Sequence, residues 1–392
     1  MHLALYAHPF DLAALAPHGG LPRLRALGFA ELVVATSYHD GRWLMPWHPE
    51  GMVRFLEDGT VHYRPGRDYG RLVPQPSSLV PATGPSPLAS WCAAAPAAGI
   101  AVRAWTVFTH NSRLGERHPE LCVQNAFGDA YRYALCPAQP AVQQYVTTMV
   151  ADLASQPGLG SIELEALGQM GWKHSSHHDK ASFTPSGLLD AALSACCCSA
   201  CAATQRRLGH DPVAVKAAVR TLLEQQLRDG DAMAPGKLPG TAAELAAAGG
   251  APWLDAVLAT RAATLQDLGR AVVAAAGSLR RAVQVHPSPW FTGSQLAVAA
   301  ARVFPPEDER VLTAYGEGPE AIGKLLAHDA TRGLPNPPRL CLWPKAPQFS
   351  SDQDLAKIRE LAATHRVTAL GIYHLGLLPW RTLERVAKIL GA

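Results

Sequence analysis

The sequence contains no block of like charge. Its basic and acidic residues nearly balance, leaving a net charge of +3 over 392 residues. The charge footprint of a nucleic-acid binder and the basic helix of a membrane-surface protein are therefore both missing. It also has no apolar run of the ~20 residues that a membrane-spanning helix needs, because Gly, Pro and charged residues interrupt the Ala-rich stretches. Met1 to His8 run straight into a strand-like segment, without a basic region, apolar core and small-residue cleavage site. No signal peptide is expected on that ground, and a cytoplasmic location is. In such a compartment the eight cysteines are expected as thiols or metal ligands, not disulfides. What remains is a chain whose partner is a small molecule, with no nucleic acid and no membrane.

What is present is a composition of 48% hydrophobic and 17% charged residues, enough to bury a large core. The chain reads as eight strand candidates alternating with helical segments. The strands are His2 to His8, Glu31 to Ser37, Ile100 to Phe108, Ser161 to Glu165, Arg280 to Val285, Arg310 to Tyr315, Arg339 to Trp343 and Ala369 to Tyr373. Helical spacing covers 21–28, 86–99, 140–156, 253–276, 319–330, 351–364 and 380–390. Eight strands alternating with helices are what a closed α/β barrel, a (β/α)8 TIM barrel, requires, and an open doubly wound sheet would not need the eighth. One barrel over 1–392 is expected, with two insertions. The first, about 39–85, holds a predicted hairpin in which Val53 to Leu56 and Thr60 to Tyr63 flank Glu57-Asp58-Gly59. The second, about 169–250, is mostly helical in pattern and holds a cysteine cluster.

A barrel of this kind builds its active site at the C-terminal ends of its strands. The richest end is the fourth. In Ser161 to Glu165 a period of two puts Glu163 and Glu165 on one face, and two like charges near apolar neighbours push their pKa values apart, as general acid/base chemistry exploits. Glu165 closes the strand and leads into a loop containing Trp172, Lys173, His174, His177, His178, Asp179 and Lys180. The other ends supply His8, His39, Asp40, His110, Asn111, His286, Tyr315, Glu317, Trp343, Lys345, Tyr373 and His374. Aromatic faces, imidazoles and amides around opposed acids suit a carbohydrate: rings stack on sugar C–H surfaces and two carboxylates share the cleavage.

Ala134-Leu135-Cys136-Pro137-Ala138-Gln139-Pro140-Ala141-Val142-Gln143-Gln144-Tyr145, followed by Gly160-Ser161-Ile162-Glu163-Leu164-Glu165, resembles the CPANPEVREY and DGIxLD/E signature of bacterial glycoside-hydrolase-like TIM-barrel proteins. The likeness covers residues 100 to 201 and departs at Ser161, where an Asp is usual. It implies a glycosidase whose nucleophile falls on Glu165. Strand seven offers no acid, so the partner carboxylate is expected beyond strand six, at Glu317, although Glu317 also stands where it could cap the helix from Pro319. Glu163-Leu164-Glu165 is similar, too, to the spaced acidic pair of chitinase-like barrels, in which Glu165 would be the acid and Glu163 its helper. His178 and Asp179 are expected to bind sugar hydroxyls or orient a carboxylate.

Two other classes stay open: a sugar-binding barrel without turnover, and a metal-dependent hydrolase or isomerase using His8, His110, His286 and His374. No cofactor is required for the glycosidase. Cys196, Cys198 and Cys201 carry a CxxC spacing that suits structural zinc. No second CxxC completes the ligand set, which would need Cys122, Cys136 or a loop histidine.

Overall fold

The computed structural model describes residues 1–174, 187–228, 247, 251–291 and 295–391. Its eight barrel strands are β1 (His2–Ala7), β2 (Phe29–Tyr38), β3 (Ala101–Val107), β4 (Ser161–Glu165), β5 (Arg280–His286), β6 (Glu309–Ala314), β7 (Arg339–Leu342) and β8 (Ala369–Ile372). Each pairs in parallel with the next, and β8 returns to β1 through His2 opposite Ala369 and Leu5 opposite Ile372. The sheet is closed, as the eightfold pattern requires. Helices such as Pro87–Ala94, Pro140–Ala154, Ala251–Ala276, Asp352–Thr364 and Trp380–Gly391 separate the strands. Among the described residues no helix is long and apolar enough to cross a membrane.

Strand alternation sorts the side chains into two cores. Leu5, Leu32, Val34, Ile162, Leu164, Val283 and Val285 join one cluster with helix residues such as Val146, Met149 and Leu268. Tyr6, Val33, Ala35, Trp105, Val311 and Cys341 form another, which fills the barrel. Gly371 in β8 makes room there, since a Cβ at that position would stand 2.8 Å from the Tyr6 ring.

Beneath this layer the barrel is ionic. Arg103 reaches Glu31 at 3.0 Å, Glu309 at 2.6 Å and Glu163 at 3.5 Å, and Arg339 reaches Glu31 at 2.6 Å and Glu309 at 3.1 Å. Buried charges persist only when paired and hydrogen-bonded. The two guanidinium forks, supplied by β3 and β7, satisfy carboxylates from β2, β4 and β6.

The expected hairpin is rearranged. Val53–Leu56 pairs with Gly41–Leu44, while Thr60–Val61 adds to the barrel sheet opposite Ser37 and Tyr38. The Asp-Gly turn is real, with Gly59 at φ 60°. However, β2 runs ten residues, long enough to project past the barrel and offer an edge that captures Thr60–Val61. The helix expected over 319–330 breaks at His328, whose extended backbone separates Pro319–Ala327 from Asp329–Arg332. A short antiparallel pair, Cys122–Gln124 with Ala130–Leu135, stands where the sequence shows only a loop.

Candidate active site

At the C-terminal end of the barrel a cavity of about 330 Å³ collects residues from seven strand exits. Tyr38 closes β2, Glu165 closes β4 and His286 closes β5. Tyr315, Trp343 and Tyr373 directly follow β6, β7 and β8, and Trp105 rises from within β3. The aromatic rings brace one another. Ring centres lie 4.9 Å apart for Tyr38 and Trp105, 5.8 Å for Trp105 and Tyr373, 4.8 Å for Tyr315 and Tyr373, and 5.2 Å for Trp343 and Tyr373. A 3.0 Å hydrogen bond joins the hydroxyls of Tyr38 and Tyr373, whose peptide bond to His374 is cis.

Glu165 lies 7% exposed in this cup, and the indole N–H of Trp105 donates to its Oε2. The next residue, Ala166, adopts φ 57°, a left-handed conformation that a non-glycine residue enters at a cost of about 1–3 kcal/mol. Its carbonyl is held by the backbone N–H of Thr109 at 3.0 Å and by that residue's hydroxyl at 2.7 Å. The chain thus turns sharply just past the carboxylate and is fixed there. Glu317 also lines the cavity, from the exposed turn before helix Pro319–Ala327. That helix is capped by Gly318 with no side-chain bond, so Glu317 is not its cap.

Three histidines face the same space: His39, His174 and His286. Burial pushes the His39 imidazole below its ordinary range and carries His174 and His286 down to about 4. All three are therefore neutral near pH 7, each able to donate and accept a hydrogen bond. Burial raises the phenols of Tyr38, Tyr315 and Tyr373, keeping them as O–H donors. Among the described lining residues there is no Lys or Arg. The cavity combines two carboxylates, neutral polar groups and ring faces, a surface for a polyhydroxylated uncharged ligand.

Of the strand-end residues singled out from sequence, His39, Glu165, His286, Tyr315, Glu317, Trp343 and Tyr373 line the cavity. The others stand elsewhere. Glu163 is fully buried in the barrel, accepting from Tyr6, from Gln284 at 2.9 Å and from Arg103, and its carboxyl is raised first by burial. It is a strut of the interior, because the same alternation that aims it inward also seats it one layer below the mouth. Asn111 caps helix Ser112–Arg117, accepting from Leu114 N–H at 2.9 Å. His8 stacks on Phe10 at 4.2 Å and lies close to His62, and His374 packs edge-on to Trp43, both beneath the first insertion. His110 lies behind His39, stacked at 4.3 Å. Asp40 is exposed, its backbone N–H donating to Asp58, and Lys345 stands over the Trp343 ring at 3.4 Å. His178 and Asp179 lie outside the described residues. The four histidines considered as a metal set do not converge: among the described residues, the group whose metal-ligating atoms meet consists of cysteines.

Tyr38 and His174, the latter from the loop after Glu165, also line the cavity, as do Trp105, Phe291, Gln295 and Thr313, which were not singled out from sequence. Trp105 was recoverable. It shares the inward phase of β3 with Arg103, two residues before.

No family model and no curated protein matches the chain in sequence. Solved structures do match its fold. The glycoside hydrolase domain of PgaB (BpsB) from Bordetella bronchiseptica superposes with a TM-score of 0.57 at 13% identity, covering 100% of this chain and 99% of that one. The catalytic domain of beta-amylase from Paenibacillus polymyxa gives 0.54 at 12%, covering 100% and 98%. Beta-galactosidase from Marinomonas ef1 gives 0.53 at 12%, covering all of this chain but 59% of that one. The shared feature is the (β/α)8 barrel.

Proposed function

We propose that the chain is a glycoside hydrolase that cleaves a small or terminal glycoside at this cavity, with Glu165 and Glu317 as its carboxylate pair. The observation that carries the reading is that both acids line one aromatic cup containing no described cation. A transition state of oxocarbenium character gains from flanking carboxylates and ring faces and would be opposed by a lysine or arginine. The Trp105 N–H donates to Glu165 Oε2 and fixes the carboxylate in the cup, as a nucleophile or general base must be fixed. Glu317, on the exposed turn after β6, two strands round the barrel from β4, is assigned the leaving-group proton. Tyr38, Tyr373 and the neutral imidazoles of His39, His174 and His286 supply hydroxyl-binding donors and acceptors. The barrel shared with three carbohydrate-active proteins is consistent with this chemistry but does not name the sugar.

The test is hydrolysis of an aryl-glycoside panel by the purified protein and its Glu165→Gln and Glu317→Gln variants. Each substitution is expected to lower kcat by about 100- to 10,000-fold with unchanged thermal unfolding. Saturable sugar binding without turnover in the unsubstituted protein would make the barrel a binder and end the hydrolase reading. Full activity in Glu317→Gln would remove that residue from the pair.

A further inference from the structure

We infer that Cys136, Cys196, Cys198 and Cys201 form a tetrathiolate site for one structural zinc ion, which ties the second insertion to the wall of the barrel mouth. The four sulfurs lie within 4.8 Å of one another. Cys136 Sγ stands 3.8 Å from Cys196, 3.7 Å from Cys198 and 3.6 Å from Cys201. A tetrahedral ion with zinc–sulfur bonds of about 2.3 Å places its ligands about 3.8 Å apart. Two disulfides would instead draw the sulfurs into pairs at about 2.05 Å, and Cys136 shows no such preference for any one neighbour.

The surroundings suit thiolates. The sulfurs are at most 3% exposed. Gln169 Nε2 donates to Cys201 at 3.0 Å and to Cys136 at 3.7 Å, while the backbone N–H groups of Gln124 and Cys201 donate to Cys196 and Cys198, each at 3.5 Å. Every sulfur thus receives an N–H donor, the pattern by which outer residues orient metal-bound thiolates and spread their charge. Val123, Tyr131, Ala134 and Met170 close the site off from water. The buried Arg261 guanidinium is close enough for Cys196 and Cys201 to act on it electrostatically, a countercharge for a centre of net charge −2. Binding displaces the thiol protons, so four thiols and Zn²⁺ give the tetrathiolate and four H⁺, with no change of oxidation state.

The ligands come from three places. Cys136 follows the strand Ala130–Leu135, Cys196 and Cys198 follow helix Gly187–Leu193, and Cys201 lies in the first turn of helix Ser199–Arg207. Gln169, which touches two of the sulfurs, is four residues past Glu165. A zinc ion here would fasten the insertion to the segment that continues from the proposed catalytic carboxylate.

Metal analysis of the full chain, purified without chelator, is expected to find one zinc per chain. Cobalt replacement should give the intense visible absorption of a tetrahedral tetrathiolate. Cys136→Ser should lower zinc content and thermal stability, whereas Cys197→Ser, altering the neighbouring thiol outside the cluster, should leave both unchanged. Zinc-free protein from zinc-supplemented cells, iron in place of zinc, disulfides among these cysteines by mass spectrometry, or equal effects of the two serine variants would each overturn the proposal. These readouts do not depend on hydrolase activity.

Discussion

Replacing Arg103 by Met tests the ionic layer that closes the base of the barrel. Burial alone would pull the guanidinium down, yet Glu31, Glu309 and Glu163 hold it above its ordinary range. The substitution keeps an unbranched chain of similar reach and removes only the charge and its donors. Glu31 and Glu309 would still be held by Arg339, at 2.6 and 3.1 Å. Glu163 would lose its 3.5 Å ionic partner and keep the neutral donors Tyr6 and Gln284. Two cations facing three carboxylates would become one facing three. Breaking a buried pair in this way costs about 3–5 kcal/mol, a large share of the roughly 5–15 kcal/mol that holds a domain folded. Urea unfolding followed by circular dichroism should register that loss. Adding Glu163→Gln should restore part of it, because the stranded carboxylate is then gone and the two positions couple. A loss below about 1 kcal/mol for Arg103→Met, the scale of an exposed ion pair, would refute the network's role.

Trp105→Phe keeps a ring in the cup but deletes the N–H that serves Glu165. A hydrogen bond to a charged group contributes about 1.5–3 kcal/mol, so turnover of a glycoside should fall about 10- to 100-fold, with a much smaller change in KM; an unchanged kcat would free Glu165 from dependence on the indole. Stability should drain in mild acid. His62 is buried with its pKa pushed down from 6.5 to about 3, and His374 to about 4. As pH falls below 6.5 the unfolded chain takes up these protons first, so their contribution is full above 6.5 and is lost towards 3 for His62 and 4 for His374, on the order of 3–5 kcal/mol each. Glu163, raised by burial, works in the opposite sense. Denaturation midpoints at pH 7.5, 6 and 5 should descend, and a flat series would show the imidazoles to be hydrated.

The barrel was legible because eight strands, seven of them followed by helical spacing, recur along the chain, and the strand limits found lie within a few residues of those expected. Much of the cavity was legible for the same reason: once the strand ends were known, Glu165, His286, Tyr315, Trp343 and Tyr373 followed. Depth was harder to read. Glu163 and Trp105 both point into the barrel, and whether an inward residue reaches the mouth or the interior depends on strand tilt and register, which local pattern does not encode. The pairing of Thr60–Val61 with β2 depends on partners more than 20 residues away and on which edge lies free, whereas the capping of helix Ser112–Arg117 by Asn111 is local, with its partner Leu114 three residues on. Cys136 is 60 residues from Cys196, so the spacing around Cys198 and Cys201 could suggest a metal but left Cys136 as one of three choices to complete the set.

The ionic layer also sets a rule of traffic. With Tyr6, Glu163 and the arginine–carboxylate lattice filling the cylinder beneath the aromatic cup, the hollow has a floor across the barrel axis. Whatever enters from the mouth must leave toward the mouth, so nothing can be threaded along the axis of the barrel.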